Sequence, residues 1–142
     1  MSEFFTYEGY FRTNRDKLTK SMEDYLEMIF RLTVNDPVVR IKQLAESLNV
    51  RDSSVTRMVK QLGELGYVKY KPYEYIRLTP EGVNKGKYLL HRHEVLHRFL
   101  KLINGSEDEL EQVELIEHHI NEKTVCNIER FLDFLEANNI KP

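Results

Sequence analysis

The feature that most limits what this chain can fold into is a change of hydrophobic period at Gly66. Before it, apolar residues recur every three to four positions: Ile41, Leu44, Ala45 and Leu48 in one run, then Val55, Met58, Val59, Leu62 and Leu65. That spacing makes one face of each of two short helices. After it, Tyr67-Val68-Lys69-Tyr70-Lys71 and Tyr75-Ile76-Arg77-Leu78 read as two strands around a turn at Lys71-Pro72-Tyr73-Glu74. Asn49-Val50 makes the turn between the helices, and Asp52 can cap the second. Gly66 ends that helix from the position just past it. Helix, turn, helix, hairpin is the order of a winged helix-turn-helix, whose second helix enters the DNA major groove.

The flanking segments are helical. Ser21-Met-Glu-Asp24 fits a capping box with Ser21 as N-cap and Asp24 at the third helical position, ahead of a stripe of Met22, Tyr25, Leu26, Ile29 and Phe30. Asn35-Asp36-Pro37 ends that helix. Thr79-Pro80 opens a long helical segment that ends at Asn104-Gly105, with room for an internal break. Ser106-Glu-Asp-Glu109 is a second capping box, opening a helix through about Ile120. A last helix from about Glu122 to Ala137 carries Val125, Ile128, Phe131, Leu132 and Leu135 on one face. The expected fold is mainly α: an N-terminal winged helix-turn-helix over 18–82, followed by an α-helical dimerisation domain over 83–142. Residues 1–17, rich in aromatics (Phe4, Phe5, Tyr7, Tyr10, Phe11), form an extension, either a docked arm or a mobile one.

At 142 residues the chain can bury a real core as one domain or two small ones. No run approaches the roughly 18 apolar residues of a membrane span. The N-terminus lacks the basic start and apolar stretch of a secretory signal. The single cysteine, Cys126, excludes an internal disulfide framework and a cysteine-based zinc site, and fits a cytoplasmic protein.

Net charge is −2, but it is unevenly spread. Between positions 37 and 90 there are ten Lys/Arg against five Asp/Glu (+5), and from 91 onward six against eleven (−5). A basic middle is the usual footprint of phosphate contact. The second short helix offers Arg51, Ser53, Ser54, Thr56, Arg57 and Lys60, of which Arg57 can pair with guanine O6 and N7. Lys69, Lys71 and Arg77 place charge on the wing. A solvated basic face is the plainer reading of the same residues, and the winged-helix order favours the functional one.

Six metal-type side chains lie in three places: Asp24 and Glu27, then His93, then Glu114, Glu117 and His118 at i, i+3 and i+4 on one helical face. Four carboxylates lean toward harder ions such as Mn2+, and their charge of −4 balances two divalent ions. With a DNA-binding motif between the groups, the combination suggests a metal-sensing regulator. Without a metal, Asp24 stabilises a helix start, Glu27 is solvated, and Glu117-His118-His119 is an exposed polar face. A rival motif is His93-Glu94-x-x-His97, the zinc-protease spacing. The winged helix leaves too little chain for such an enzyme's cleft and substrate-binding sheet. A metal-independent winged-helix regulator is the third alternative.

Ser21-Met-Glu-Asp-Tyr-Leu-Glu27, Ser53-Ser-Val-Thr-Arg-Met-Val59, Leu78-Thr-Pro-Glu-Gly82, Arg92-His-Glu-Val-Leu96 and Val113-Glu-Leu-Ile-Glu-His-His119 together resemble the diphtheria toxin repressor family, most closely its manganese transport regulator branch. The resemblance spans about residues 18–138. It implies a homodimeric repressor of metal-ion uptake genes that binds a palindromic operator on double-stranded DNA when metal is bound. By position it implies ligands at Asp24, Glu27, His93, Glu114, Glu117 and His118. Iron-type members carry methionine and cysteine where this chain has Asp24 and Glu114, so the resemblance implies Mn2+, two ions per subunit, with Fe2+, Co2+, Cd2+ and Zn2+ as alternatives. Asp52 stands where the family commonly has proline or a neutral residue. In the expected mechanism, metal cancels carboxylate repulsion and fixes the angle between the two halves. That sets the dimer's recognition helices against half-sites about 34–36 Å apart.

Overall fold

The structure, a computed structural model, describes Thr6, Tyr10 and residues 18–72 and 75–142. The N-terminal extension, apart from Thr6 and Tyr10, and the wing tip at positions 73 and 74 lie outside the described residues. The elements in order are α1 (Lys20–Leu32), α2 (Ile41–Leu48), α3 (Asp52–Glu64), β1 (Val68–Tyr70), β2 (Ile76–Leu78), α4 (Pro80–Asn104), α5 (Leu110–Ile116), a 3-10 turn (Glu117–His119) and α6 (Glu122–Ala137). The expected mainly helical, winged helix-turn-helix architecture is present.

The first helix begins two residues earlier than its sequence signature suggests. Thr19 rather than Ser21 is the N-cap, its hydroxyl accepting the Met22 N–H at 3.1 Å. Leu18, just before it, packs on the core, which draws the start upstream. Asp24 therefore sits in the second turn, beyond capping range.

Between α2 and α3, Asn49 takes the left-handed conformation (φ 55°) that asparagine tolerates. Asp52 is the first residue of α3 rather than its cap; Arg51 holds the cap position without a side-chain bond. Gly66 (φ 87°) closes α3 as expected. Its N–H meets the Gly63 carbonyl at 3.1 Å and the Tyr67 N–H meets that of Leu62 at 3.0 Å, the paired bonds of a Schellman end. Because Tyr67 spends its N–H there, the antiparallel wing starts only at Val68, with Val68 opposite Leu78, Lys69 opposite Arg77 and Tyr70 opposite Ile76. Val39 adds a short bridge to Ile76.

Thr79 ties the wing to the rest. Its hydroxyl accepts the Gly82 N–H at 3.1 Å and donates to the Gly66 carbonyl at 2.6 Å. Pro80 follows at the first position of α4, which runs unbroken for 25 residues and ends at Gly105 (φ 60°). One core cluster, including Leu26, Ile29, Val55, Val59 and Ile76, takes Leu89 from α4. Farther along, Val95 packs with Val125 and Leu132, and Leu96 and Leu100 with Val113. Where α1 meets α4 the backbones nearly touch: a Cβ on Gly86 would lie 2.6 Å from that of Phe30.

The C-terminal helices differ in detail from expectation. α5 starts at Leu110 because Ser106 donates to the Glu109 carboxylate (2.7 Å) instead of forming a capping box, while Asp108 accepts the Leu110 N–H (2.9 Å). On α6, Val125 and Leu132 are buried, but Phe131 points outward, 53% exposed, beside Phe134 at 56%.

Candidate metal centre

The antiparallel contact of α1 with α4 puts Glu23, Asp24 and Glu27 opposite Arg92 and His93. Asp24, Glu27, His93, Glu114 and Glu117 line one open cleft of about 530 Å³, with Arg31 and Leu110 among its other walls. His118 reaches Asp24 from behind, its Nε2 3.2 Å from Oδ1. All six sequence-selected residues thus meet in one region. Glu114, Glu117 and His118 do not share one α-helical face as expected, because α5 stops at Ile116 and Glu117 and His118 ride on the 3-10 turn. The turn buries Glu117 (3% exposed) while Glu114 stays exposed.

Donor atoms of Asp24, Glu117 and His118 lie within 4.8 Å of one another. Anionic oxygens and an imidazole nitrogen at that spacing suit a divalent cation of the Mn, Fe, Co or Zn kind. Of the remaining side chains, His93 and Glu27 are held by neighbours. Glu117 bonds His93 Nδ1 at 2.8 Å, and Glu27 accepts from Arg31 Nη2 at 2.7 Å and Nε at 3.0 Å.

The electrostatics follow from this packing. Burial pushes the Glu27 carboxyl up, against the Arg31 guanidinium. The hydrogen bond that His93 donates to Glu117 holds it above the ordinary histidine value. Burial disfavours a charged ring at His118, yet the Asp24 and Glu23 carboxylates outweigh it and push its pKa up to about 9. Burial likewise opposes charge on Glu23, but His118 and Arg92 hold its carboxyl below the usual range.

Glu23, Arg31 and Arg92 escaped the sequence reading. The signal was there for two of them: Arg92 lies three after Leu89 and four before Leu96, and Glu23 three before Leu26, all on buried faces. A charge inside an apolar stripe demands a buried partner.

The second histidine of the His93-Glu94-x-x-His97 motif is engaged elsewhere. The two ring centroids are 6.1 Å apart, but His97 Nε2 accepts the Glu109 N–H at 3.1 Å and Glu94 is exposed.

The sequence-selected DNA residues occupy α3 and the wing. Arg51, Ser53, Ser54, Arg57, Lys60, Lys69, Lys71 and Arg77 are exposed; Thr56 is half-buried, its hydroxyl donating to the Asp52 carbonyl at 3.1 Å. An open cleft of about 760 Å³ between α3 and the wing is lined by Thr56, Lys60, Tyr70 and Tyr75. It also holds Arg40, absent from the sequence selection, whose guanidinium lies 5.2 Å from the Tyr75 ring centre. Among the described residues, no helix is long and apolar enough to cross a membrane.

Two family models match the chain. The iron dependent repressor N-terminal DNA binding domain matches residues 17–76, and the iron dependent repressor metal binding and dimerisation domain matches 79–140. The chain is 40% identical over 121 residues to the HTH-type transcriptional regulator MntR of Lysinibacillus sphaericus (strain C3-41), covering 84% of this chain and 87% of that one. It is 37% identical over 124 residues to MntR of Bacillus subtilis (strain 168), covering 87% of each. Among solved structures, the manganese regulator SloR matches with a TM-score of 0.70 and 28% identity over 82% of this chain. This chain spans only 55% of the length of that one. The chain therefore belongs to the iron-dependent repressor family, whose members are metal-dependent, DNA-binding transcriptional repressors with a dimerisation domain, not enzymes.

Proposed function

We propose that this protein is a manganese-activated repressor of metal-ion uptake genes, binding a palindromic operator as a homodimer. Residues 18–82 read DNA and supply two metal ligands, and 83–142 supply the other four and hold the second subunit. The observation that carries this reading is the cleft itself, where Asp24 and Glu27 of α1 face His93, Glu114 and Glu117 of the helical half. In this reading those five and His118 are the ligands. Their four carboxylates balance the charge of two Mn2+ ions per subunit, and oxygen donors at Asp24 and Glu114 favour Mn2+ over softer ions. The relatives named MntR and the solved manganese regulator support that ion.

Cations held by these residues would neutralise carboxylates on both walls, so that Asp24 and Glu27 of α1 are drawn toward His93 of α4 and the angle at which α3 is offered to DNA is set. Arg57 reads a guanine, Ser53, Ser54 and Thr56 contact bases or phosphates, and Arg51, Lys60, Lys69, Lys71 and Arg77 hold the backbone. The exposed Phe131 and Phe134, with Leu115, supply apolar surface for the partner subunit.

The test is fluorescence-anisotropy binding to a palindromic operator duplex at fixed salt, titrating Mn2+, Fe2+ (anaerobically) and Zn2+, with an EDTA control. The expected result is binding that requires metal and is lost in Asp24→Ala and Glu117→Ala. Linked equilibria of this kind typically shift affinity about 5- to 150-fold. Binding of equal strength in EDTA would make the protein a metal-independent regulator.

A further inference from the structure

We infer that Glu23 and Arg92 form a buried positioning pair that decides which ring nitrogen of His118 is presented to the metal. The inference rests on the reading above in which His118 is a ligand.

Three side chains from three elements meet out of solvent. Arg92 of α4 and His118 of the 3-10 turn are each 4% exposed, and Glu23 of α1 is 10% exposed. Arg92 grips the Glu23 carboxylate with both terminal nitrogens, Nη1 to Oε2 and Nη2 to Oε1, each at 3.3 Å. The same Oε1 lies 2.8 Å from His118 Nδ1. An ionised carboxylate can only accept, so Nδ1 carries the hydrogen. The competing neighbour of Nδ1 is Arg92 Nη2 at 3.5 Å, a longer contact and itself a donor. Nε2 faces a second carboxylate, Asp24 Oδ1 at 3.2 Å, and with Nδ1 committed to Glu23 it is the nitrogen left to exchange its hydrogen for a cation.

Stability is a weak reason for such a pair, because buried ion pairs are often replaceable by apolar residues without loss. Its own satisfaction is incomplete too: among the described residues, Arg92 Nε has no hydrogen-bond partner. The guanidinium is aimed at Glu23 at that cost. A carboxylate behind an imidazole is the arrangement that fixes tautomer and ring plane in metal-binding histidines and raises the donor strength of the other nitrogen. The 3-10 turn gains most, since it has no side-chain cap of its own. Arg92 therefore holds Glu23, Glu23 holds His118, and none of this requires Glu23 or Arg92 to touch the ion.

The test uses the full chain. Glu23→Leu/Arg92→Met removes both charges at similar volume, and Glu23→Gln/Arg92→Met keeps an acceptor without the ion pair. Mn2+ affinity by calorimetry should fall about 10- to 100-fold in the first, the usual cost of losing an outer-shell partner, with part recovered in the second. Thermal melting should change little in either. A first variant that binds Mn2+ as wild type does, while His118→Ala binds weakly, makes the pair merely structural and overturns the inference. An unchanged Mn2+ affinity in His118→Ala itself overturns the ligand reading and this inference with it. A readout independent of folding in the variants is the ring 15N spectrum of wild-type protein loaded with diamagnetic Zn2+. Protonated Nδ1 and metal-bound Nε2 are expected at His118; the reverse tautomer overturns the proposal.

Discussion

Arg57 and Lys69 carry the same charge and face the same solvent, yet the proposed function gives them different work. Arg57 lies in the middle of α3 and is proposed to pair with guanine; Lys69 lies on β1 opposite Arg77 and is proposed to meet a phosphate. Arg57→Ala is expected to cost about 1–3 kcal/mol on the operator and to relax preference at one base pair. Lys69→Ala should weaken binding on all sequences and lower the salt slope by about one. Operator and scrambled duplexes titrated over a salt series separate the two; identical effects would place Arg57 on the backbone. Residue chemistry of this kind is legible without a structure, because exposure and side-chain type decide it. The supports of the metal centre are less so. Glu23 was hidden by its neighbour Asp24, which has the more obvious ligand spacing, and Arg92 by its neighbour His93. Only burial separates each pair.

Among elements, α1 crosses α4 tightly at Gly86. Gly86→Ala forces a methyl group against Phe30, and overpacking of this sort costs typically about 1–3 kcal/mol. The variant should melt lower and also bind metal more weakly, since Glu23, Asp24 and Glu27 move with α1. Calorimetry on the folded variant checks the second effect, and unchanged Mn2+ binding would mean that the crossing does not set the cleft. Elements with both an apolar period and an unambiguous stop were readable from residues alone: α2, α3 with Gly66, the start of α4 at Thr79-Pro80, and α6. Failures came where two signals of equal local strength competed. Thr19 and Ser21 are both cap residues, and only the packing of Leu18 chooses between them. Ser106 and Glu109 have capping-box spacing, but their side chains satisfy each other. The tightening of α5 into a 3-10 turn at Glu117 has no marker in the period of its apolar residues.

For the molecule as a whole, the basic middle and acidic end fall on opposite functions, DNA contact and cation binding. The helical half exposes Phe131 and Phe134, an unusual outlay of aromatic surface. Replacing both with aspartate should convert a dimer to a monomer in analytical ultracentrifugation and, by removing the second recognition helix, abolish tight operator binding. A dimer that persists would put the interface elsewhere.

The unbroken course of α4 has a consequence for how a signal can travel. At 1.5 Å per residue it is a rod about 37 Å long, with its start in the DNA-reading core and its end in the helical half. A rod without a kink has no hinge at its middle, so the proposed action of metal falls on what packs against it. What leans on it is α1 and the short turn at 117–119. Hydrogen–deuterium exchange should therefore show α4 amides from Leu89 to Leu100 protected alike with and without Mn2+. Slowing on metal addition should be confined to α1 and the 117–119 turn, like two clamps tightening on a fixed bar.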